Sequence, residues 1–296
     1  MPKGMQTRQP SKSGKHIGAK TARGGTRMSK ASLPAKSSAR SSAKNARVKP
    51  AAAKKSPTGK APTASKTRKN GYDPTSPERI GEILRRLDAT YPNAKCALHH
   101  SSAWELLVAT ILSAQCTDVR VNIVTGTLFK MYPTPQSFAA LEPEALEPDI
   151  KSTGFFRNKS KSVVGAARKI ISDFGGQVPD DMDKLLTIPG VARKTANVVL
   201  GSWYGKGVGV VVDTHVYRIS RRLELTKQES AEKVEQDLMQ VIPQPKWIDF
   251  AHQVIHHGRA LCIARSPKCA QCPLEDICHA ADKTWSTVDV HPEAKP

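Results

Sequence analysis

The chain has 296 residues, with 46 Lys/Arg against 26 Asp/Glu and a formal charge of +20. The surplus is concentrated: residues 1–70 hold 19 Lys/Arg and no acid, which leaves 27 basic against 26 acidic side chains in the rest. No apolar run approaches the ~18–20 residues that cross a bilayer, the N-terminus lacks the apolar core of a secretory signal, and six cysteines are too sparse for a disulfide scaffold; a soluble protein is expected, and membrane-spanning and disulfide-stapled classes are excluded.

Residues 1–72 read as a disordered Lys/Arg-rich tail. No aromatic precedes Tyr72, and Ile17, Leu33 and Val48 are isolated aliphatics, so the segment cannot bury enough apolar surface to offset its ordering entropy. Its unopposed charge suits a polyanion such as duplex DNA. Acid-poor Arg/Ser/Ala segments also serve as organelle presequences, so tethering and targeting both stay open.

The body reads as helices throughout. Ser76-Pro77-Glu78 combines a cap residue, a first-turn proline and an early acid, followed by Ile80, Ile83, Leu84 and Leu87 at helical spacing. Ser101 to Ala114 is apolar on most sides, as in a buried central helix. Lys161 to Phe174 is amphipathic and stops at Gly175-Gly176. Further helices are expected from Ser230 to Val241 and from Trp247 to Leu261. The β-branched run Val208–Val212 has nothing nearby to pair with. An all-α body is the economical reading.

Three motifs carry chemistry. Ile188-Pro189-Gly190-Val191-Ala192-Arg193-Lys194-Thr195-Ala196 is a tight turn feeding a helix, whose free N–H groups and positive dipole end suit a phosphate. A lysine in that first turn, beside Arg193, sits where a neutral, nucleophilic amine is favoured; phosphate contact is the plainer role for Lys194. Asp213, in Val212-Asp213-Thr214-His215, is placed to cap a helix and could also steady a developing cation. Cys262, Cys269, Cys272 and Cys278 have the spacing C-x6-C-x2-C-x5-C. Four thiolates in one loop fit zinc or an iron–sulfur cluster, and the single C-x2-C leans towards the cluster. Cys96 and Cys116 read as packing residues.

Taken jointly with Leu112-Ser113-Ala114-Gln115-Cys116-Thr117-Asp118 and the cysteine loop after His257-Gly258-Arg259, these segments resemble the endonuclease III family of helix-hairpin-helix DNA glycosylases over about residues 75–280. The resemblance implies an all-α fold: a six-helix barrel over 96–206 that carries the hairpin, and an iron–sulfur domain built from 75–95 and 207–285 around a [4Fe-4S] cluster. It implies a bifunctional base-excision repair enzyme that removes oxidised pyrimidines from duplex DNA and then cleaves the abasic site by β-elimination.

Lys194 matches the family's nucleophile and Asp213 its catalytic carboxylate, with Cys262, Cys269, Cys272 and Cys278 as cluster ligands. Gln115 matches the residue that fills the hole left by a flipped base, and Phe155 falls at the family's apolar wedge. Thr117 and Asp118 match pocket positions, Gly190, Ala192 and Thr195 the hairpin. Arg259, Arg265 and Lys268 are candidates for phosphate contacts. Ala192 departs from the family's P-G-V-G, and is expected to be harmless because the position already lies in the helix.

The competing readings are a monofunctional mismatch glycosylase of the same superfamily and a non-catalytic DNA-architectural protein. The first is disfavoured by Lys194 and by the 18 residues after Cys278, too few for a further domain. The second needs neither amine nor carboxylate. The expected protein is a monomer, intracellular and DNA-associated, most simply in a bacterial cytoplasm or nucleoid.

Overall fold

The computed structural model describes residues 72–287; the expected tail and its DNA-binding or targeting role lie almost wholly outside the described residues. Eleven α-helices and no strand are found among these residues, so the body is all-α. The run Val208–Val212 is an irregular connection.

The N-terminal helix α1 (Pro77–Thr90) starts where Ser76 Oγ accepts from the Arg79 N–H, and it buries Ile80, Ile83, Leu84 and Leu87. Next comes α2 (Ala103–Leu112), capped by Ser102 and apolar nearly all round; Leu106, Leu107, Val108 and Leu112 have no exposed surface. Each such side chain contributes about 1.5–3 kcal/mol of burial, which makes α2 the axis of the first core. On it packs α3 (Asp118–Met131), while α4 (Pro135–Ala139) and α5 (Pro143–Ile150) pack on α6 (Phe156–Phe174), which also meets α2. Helix α6 begins five residues before the periodicity predicts, and ends at Gly175 with φ +61°. Next, α7 (Met182–Leu186) and α8 (Arg193–Ser202) flank the Pro-Gly turn and close this core, which runs from Leu98 to Leu200.

A second core joins α1 to α9 (Thr214–Arg222), α10 (Ala231–Val241), α11 (Trp247–Ala260) and Leu274 of the cysteine loop. The chain thus starts in one core, builds the other and returns. Helix α1 also holds the cysteine loop, because Arg79 Nη2 donates to the Ile277 carbonyl and Arg86 Nη1 to that of Pro273, each at 2.8 Å. Arg86 further pairs with Asp276. Asp88 accepts from Gln253 and Lys246 at 2.9 Å, tying α1 to the region of α11.

Candidate active site

The Pro-Gly turn is held by backbone geometry that only glycine meets. Gly190 has φ +79°, and a Cβ there would stand 2.5 Å from Ser162 Cβ on α6. Val191 N–H closes the turn on the Ile188 carbonyl. Ala192 is the N-cap of α8, with φ −95° and ψ 168°. The expectation that it already lies within the helix is therefore corrected: it stands one residue ahead, in extended backbone that alanine adopts without strain. It has no side-chain acceptor, so the first N–H groups of α8 lack a side-chain cap, the condition under which a helix start takes a phosphate.

Lys194 is exposed in the first turn of α8, with Thr195 half-buried beside it. Arg193 does not act on it as an unopposed charge. Its guanidinium grips the buried Glu235 carboxylate of α10 at 3.0–3.1 Å, and Asn197 Nδ2 donates to the same group at 2.9 Å. This network joins the helix of the first core that carries Lys194 to the second core.

Asp213 caps α9: its Oδ1 accepts from the His215 and Val216 N–H groups, each at 2.8 Å. Both bonds fall on one oxygen, and among the described residues Oδ2 takes none. Lys194 and Asp213 border one cleft of about 580 Å³ with Gln115, Thr117, Asp118 and Arg259. A smaller recess of about 120 Å³ continues from both residues towards Cys96, His252 and His256.

Other expected site residues fall as follows. Thr117 Oγ1 caps α3 by accepting from the Arg120 N–H at 3.3 Å, and Asp118, the first residue of α3, pairs with Arg259 at 2.5 Å. Arg259 is thus committed to an ion pair across the cleft. Arg265 and Lys268 are exposed on the cysteine loop. Gln115 and Phe155 are both exposed and both hold left-handed backbone, at φ +54° and +49°. Phe155 is 61 % exposed, whereas Phe156 packs on the first core. His215 also borders the cleft, and burial pulls it below the ordinary histidine range despite the Asp213 carboxylate; a histidine two residues from a candidate catalytic aspartate was visible in the sequence but carried no signal of its own.

The four loop cysteines border one small apolar cavity. Burial holds the Cys272 thiol up at about 12 and the Cys278 thiol at about 11, values a coordinated cation overrides by withdrawing the proton. N–H groups already point at the sulfurs: Arg222 Nη1 donates to Cys262 Sγ at 3.3 Å, and the Leu274 N–H to Cys272 Sγ at 3.4 Å. The four thiols surround one space, and an all-thiolate donor set of four fits a cluster. Cys96 and Cys116 are half-buried against the first core, as packing residues.

Comparison with known proteins gives the family. Residues 108–244 match the family model of the HhH-GPD superfamily base excision DNA repair proteins, and residues 262–278 that of the iron-sulfur binding domain of endonuclease III. Endonuclease III of Synechocystis is 53 % identical over 204 residues, covering 69 % of this chain and 93 % of the relative. That of Escherichia coli K12 is 39 % identical over 202 residues, covering 68 % and 95 %. Among solved structures, a non-covalent endonuclease III–DNA complex and a trapped endonuclease III–DNA covalent intermediate each superpose with TM-score 0.66 at 42 % identity. They cover 69 % of this chain and 95–96 % of theirs. The chain belongs to the endonuclease III family. Its cysteine loop is a [4Fe-4S] site.

Proposed function

We propose that Lys194 and Asp213 carry the DNA glycosylase and abasic-site lyase reactions of this endonuclease III family member on oxidised pyrimidines in duplex DNA. One observation carries the assignment: an exposed lysine at a helix start and an aspartate with one unbonded oxygen line the same cleft. Attack by the Lys194 amine nitrogen on C1′ breaks the glycosidic bond, whose electron pair leaves with the base. The adduct opens to a Schiff base, a proton leaves C2′, and the C3′–O bond breaks. Asp213 faces the positive charge that develops at C1′ as the base departs. Its N-cap bonds hold the carboxylate in place before substrate arrives.

Binding follows from the same surface. The uncapped start of α8 behind Gly190, Ala192 and Thr195 takes a phosphate, and Arg265 and Lys268 face the backbone beyond, while Arg259 is held by Asp118. A damaged nucleotide leaves the stack at a cost of a few kcal/mol, less for a lesion. Gln115 fills the space it vacates and Phe155 wedges beside it, with Thr117 and Asp118 at the pocket edge. The barrel over 96–206 and the cluster domain of 75–95 with 207–285 are the two lobes that clasp the duplex. Cys262, Cys269, Cys272 and Cys278 would hold the cluster, which supplies a covalent cross-link that shapes the basic loop. One such body per chain makes a monomer sufficient. Residues 1–72 tether the enzyme to DNA without sequence preference, in an intracellular, DNA-associated setting.

Separate assays of base release and strand cleavage on a duplex with one thymine glycol test the assignment. Lys194→Gln abolishes both and Asp213→Asn slows base release strongly, while duplex binding persists in each. Full activity in Lys194→Gln overturns it.

A further inference from the structure

Lys159 is a buried cation that the chemistry above does not use. It lies on α6, is 5 % exposed, and pairs with no carboxylate among the described residues. Its ammonium donates to two backbone carbonyls, Leu112 and Thr153, each at 2.8 Å. Neither carbonyl receives a backbone N–H among the described residues. Burial pulls its pKa below the ordinary lysine range, and its place near the start of α6 sets it against that helix's dipole. The opposing attraction is the carbonyl end of α2, where an orphan acceptor favours a cation.

The two carbonyls belong to two different loops. Leu112 ends α2 and opens the turn in which Gln115 holds φ +54°; Thr153 precedes Gly154 at φ +71° and Phe155 at φ +49°. Left-handed backbone is disfavoured for residues with a Cβ, and strain of this kind persists only where surrounding structure enforces it.

We propose that Lys159 is a positioning residue whose ammonium ties the Gln115 turn to the Phe155 loop, so that both side chains meet the duplex as one preformed unit. The proposal rests on the reading of Gln115 and Phe155 as the groups that enter the stack. With the tie intact, the ordering of both loops is complete before DNA binds. Without it each loop relaxes and must be reordered on every encounter.

The test uses the full chain and a duplex carrying one thymine glycol opposite 2-aminopurine, whose fluorescence rises as the estranged base unstacks. Lys159→Met keeps an unbranched stem, one atom shorter, and removes the donors. It is expected to lower single-turnover base release by roughly tenfold to a hundredfold, the scale of one charge-assisted hydrogen bond, and to slow the fluorescence rise in step. Added to Gln115→Ala/Phe155→Ala, it lowers the rate by less than about twofold further, because coupled sites are not additive. A full extra loss in that background, or an unchanged fluorescence rise in Lys159→Met, overturns the tie. Wild-type release and fluorescence in Gln115→Ala/Phe155→Ala remove the loop reading itself, and the tie with it. Should Lys159→Met not fold, Lys159→Gln keeps one donor and is expected to fall between wild type and the loop variants; a wild-type rate and fluorescence rise there refute the proposal.

Discussion

Gly190→Ala separates two costs that the hairpin imposes. The residue holds φ +79°, and left-handed backbone costs a Cβ-bearing residue roughly 1–2 kcal/mol. The new Cβ also meets Ser162 Cβ at 2.5 Å and Oγ at 2.9 Å. Rotating the serine cannot relieve the first contact, since a Cβ is fixed by its own backbone, and that backbone belongs to α6. Overpacking of this kind costs roughly a further 1–3 kcal/mol, so the expected loss is about 2–5 kcal/mol in urea unfolding. Ser162→Gly removes the obstructing atom but costs about 1 kcal/mol as a mid-helix glycine. Combined, the two substitutions should show a favourable coupling of about 1–3 kcal/mol, the steric share, leaving the backbone share unrelieved. Because Val191 and Ala192 run straight into α8, affinity for undamaged duplex should fall in Gly190→Ala and partly return in the pair. A loss below about 1 kcal/mol, or an additive cycle, would falsify the account of why the turn needs glycine.

Asp213 combines a cap with its proposed chemistry, and the two can be split. Asp213→Asn retains the acceptor for His215 and Val216 and should keep stability within about 0.5 kcal/mol, while Asp213→Ala loses about 1–2 kcal/mol; both should lose base release, so thermal melts beside single-turnover rates check the division. Asp118→Asn frees Arg259 from its ion pair, and binding of undamaged duplex should tighten with a steeper salt slope, by up to about 0.9 for one added phosphate contact. A slope unchanged from wild type would show that Arg259 does not reach the backbone. His252 is pulled below the ordinary histidine range by burial, so the native state keeps the ring neutral while the unfolded chain gains a proton below about pH 6.5. Stability is therefore present above that pH and lost as pH falls, and His252→Gln should lessen the drop between urea midpoints at about pH 8 and about pH 5. Removing residues 1–70 should flatten the salt dependence of duplex affinity, since the remaining body is nearly neutral; an unchanged slope would refute the tether.

What the sequence made legible was whatever depends on neighbours in the chain. Ser76 before Pro77, Gly175 after Phe174 and Asp213 before Thr214 each mark a helix end by local chemistry, and the structure places ends there. The thiol loop was readable because its four ligands lie within one short window. Features made by distant partners stayed hidden. Arg193 reads as a free charge beside Lys194, and its neutralising partner Glu235 comes 42 residues later on another helix. Nothing in the residue pattern sets Lys159 apart from the lysines around it, since neither carbonyl it serves is visible there. Phe155 and Phe156 are indistinguishable as letters; the left-handed backbone at Phe155 turns the first outward while the second packs inward.

The most direct test of the central claim is borohydride trapping with peptide mapping. The protein is incubated with a duplex carrying one thymine glycol, reduced, and digested to locate the deoxyribose remnant. The account predicts one adduct, on Lys194 at the first turn of α8, absent in Lys194→Gln. Base release without any trapped adduct, or an adduct on another lysine, would contradict it.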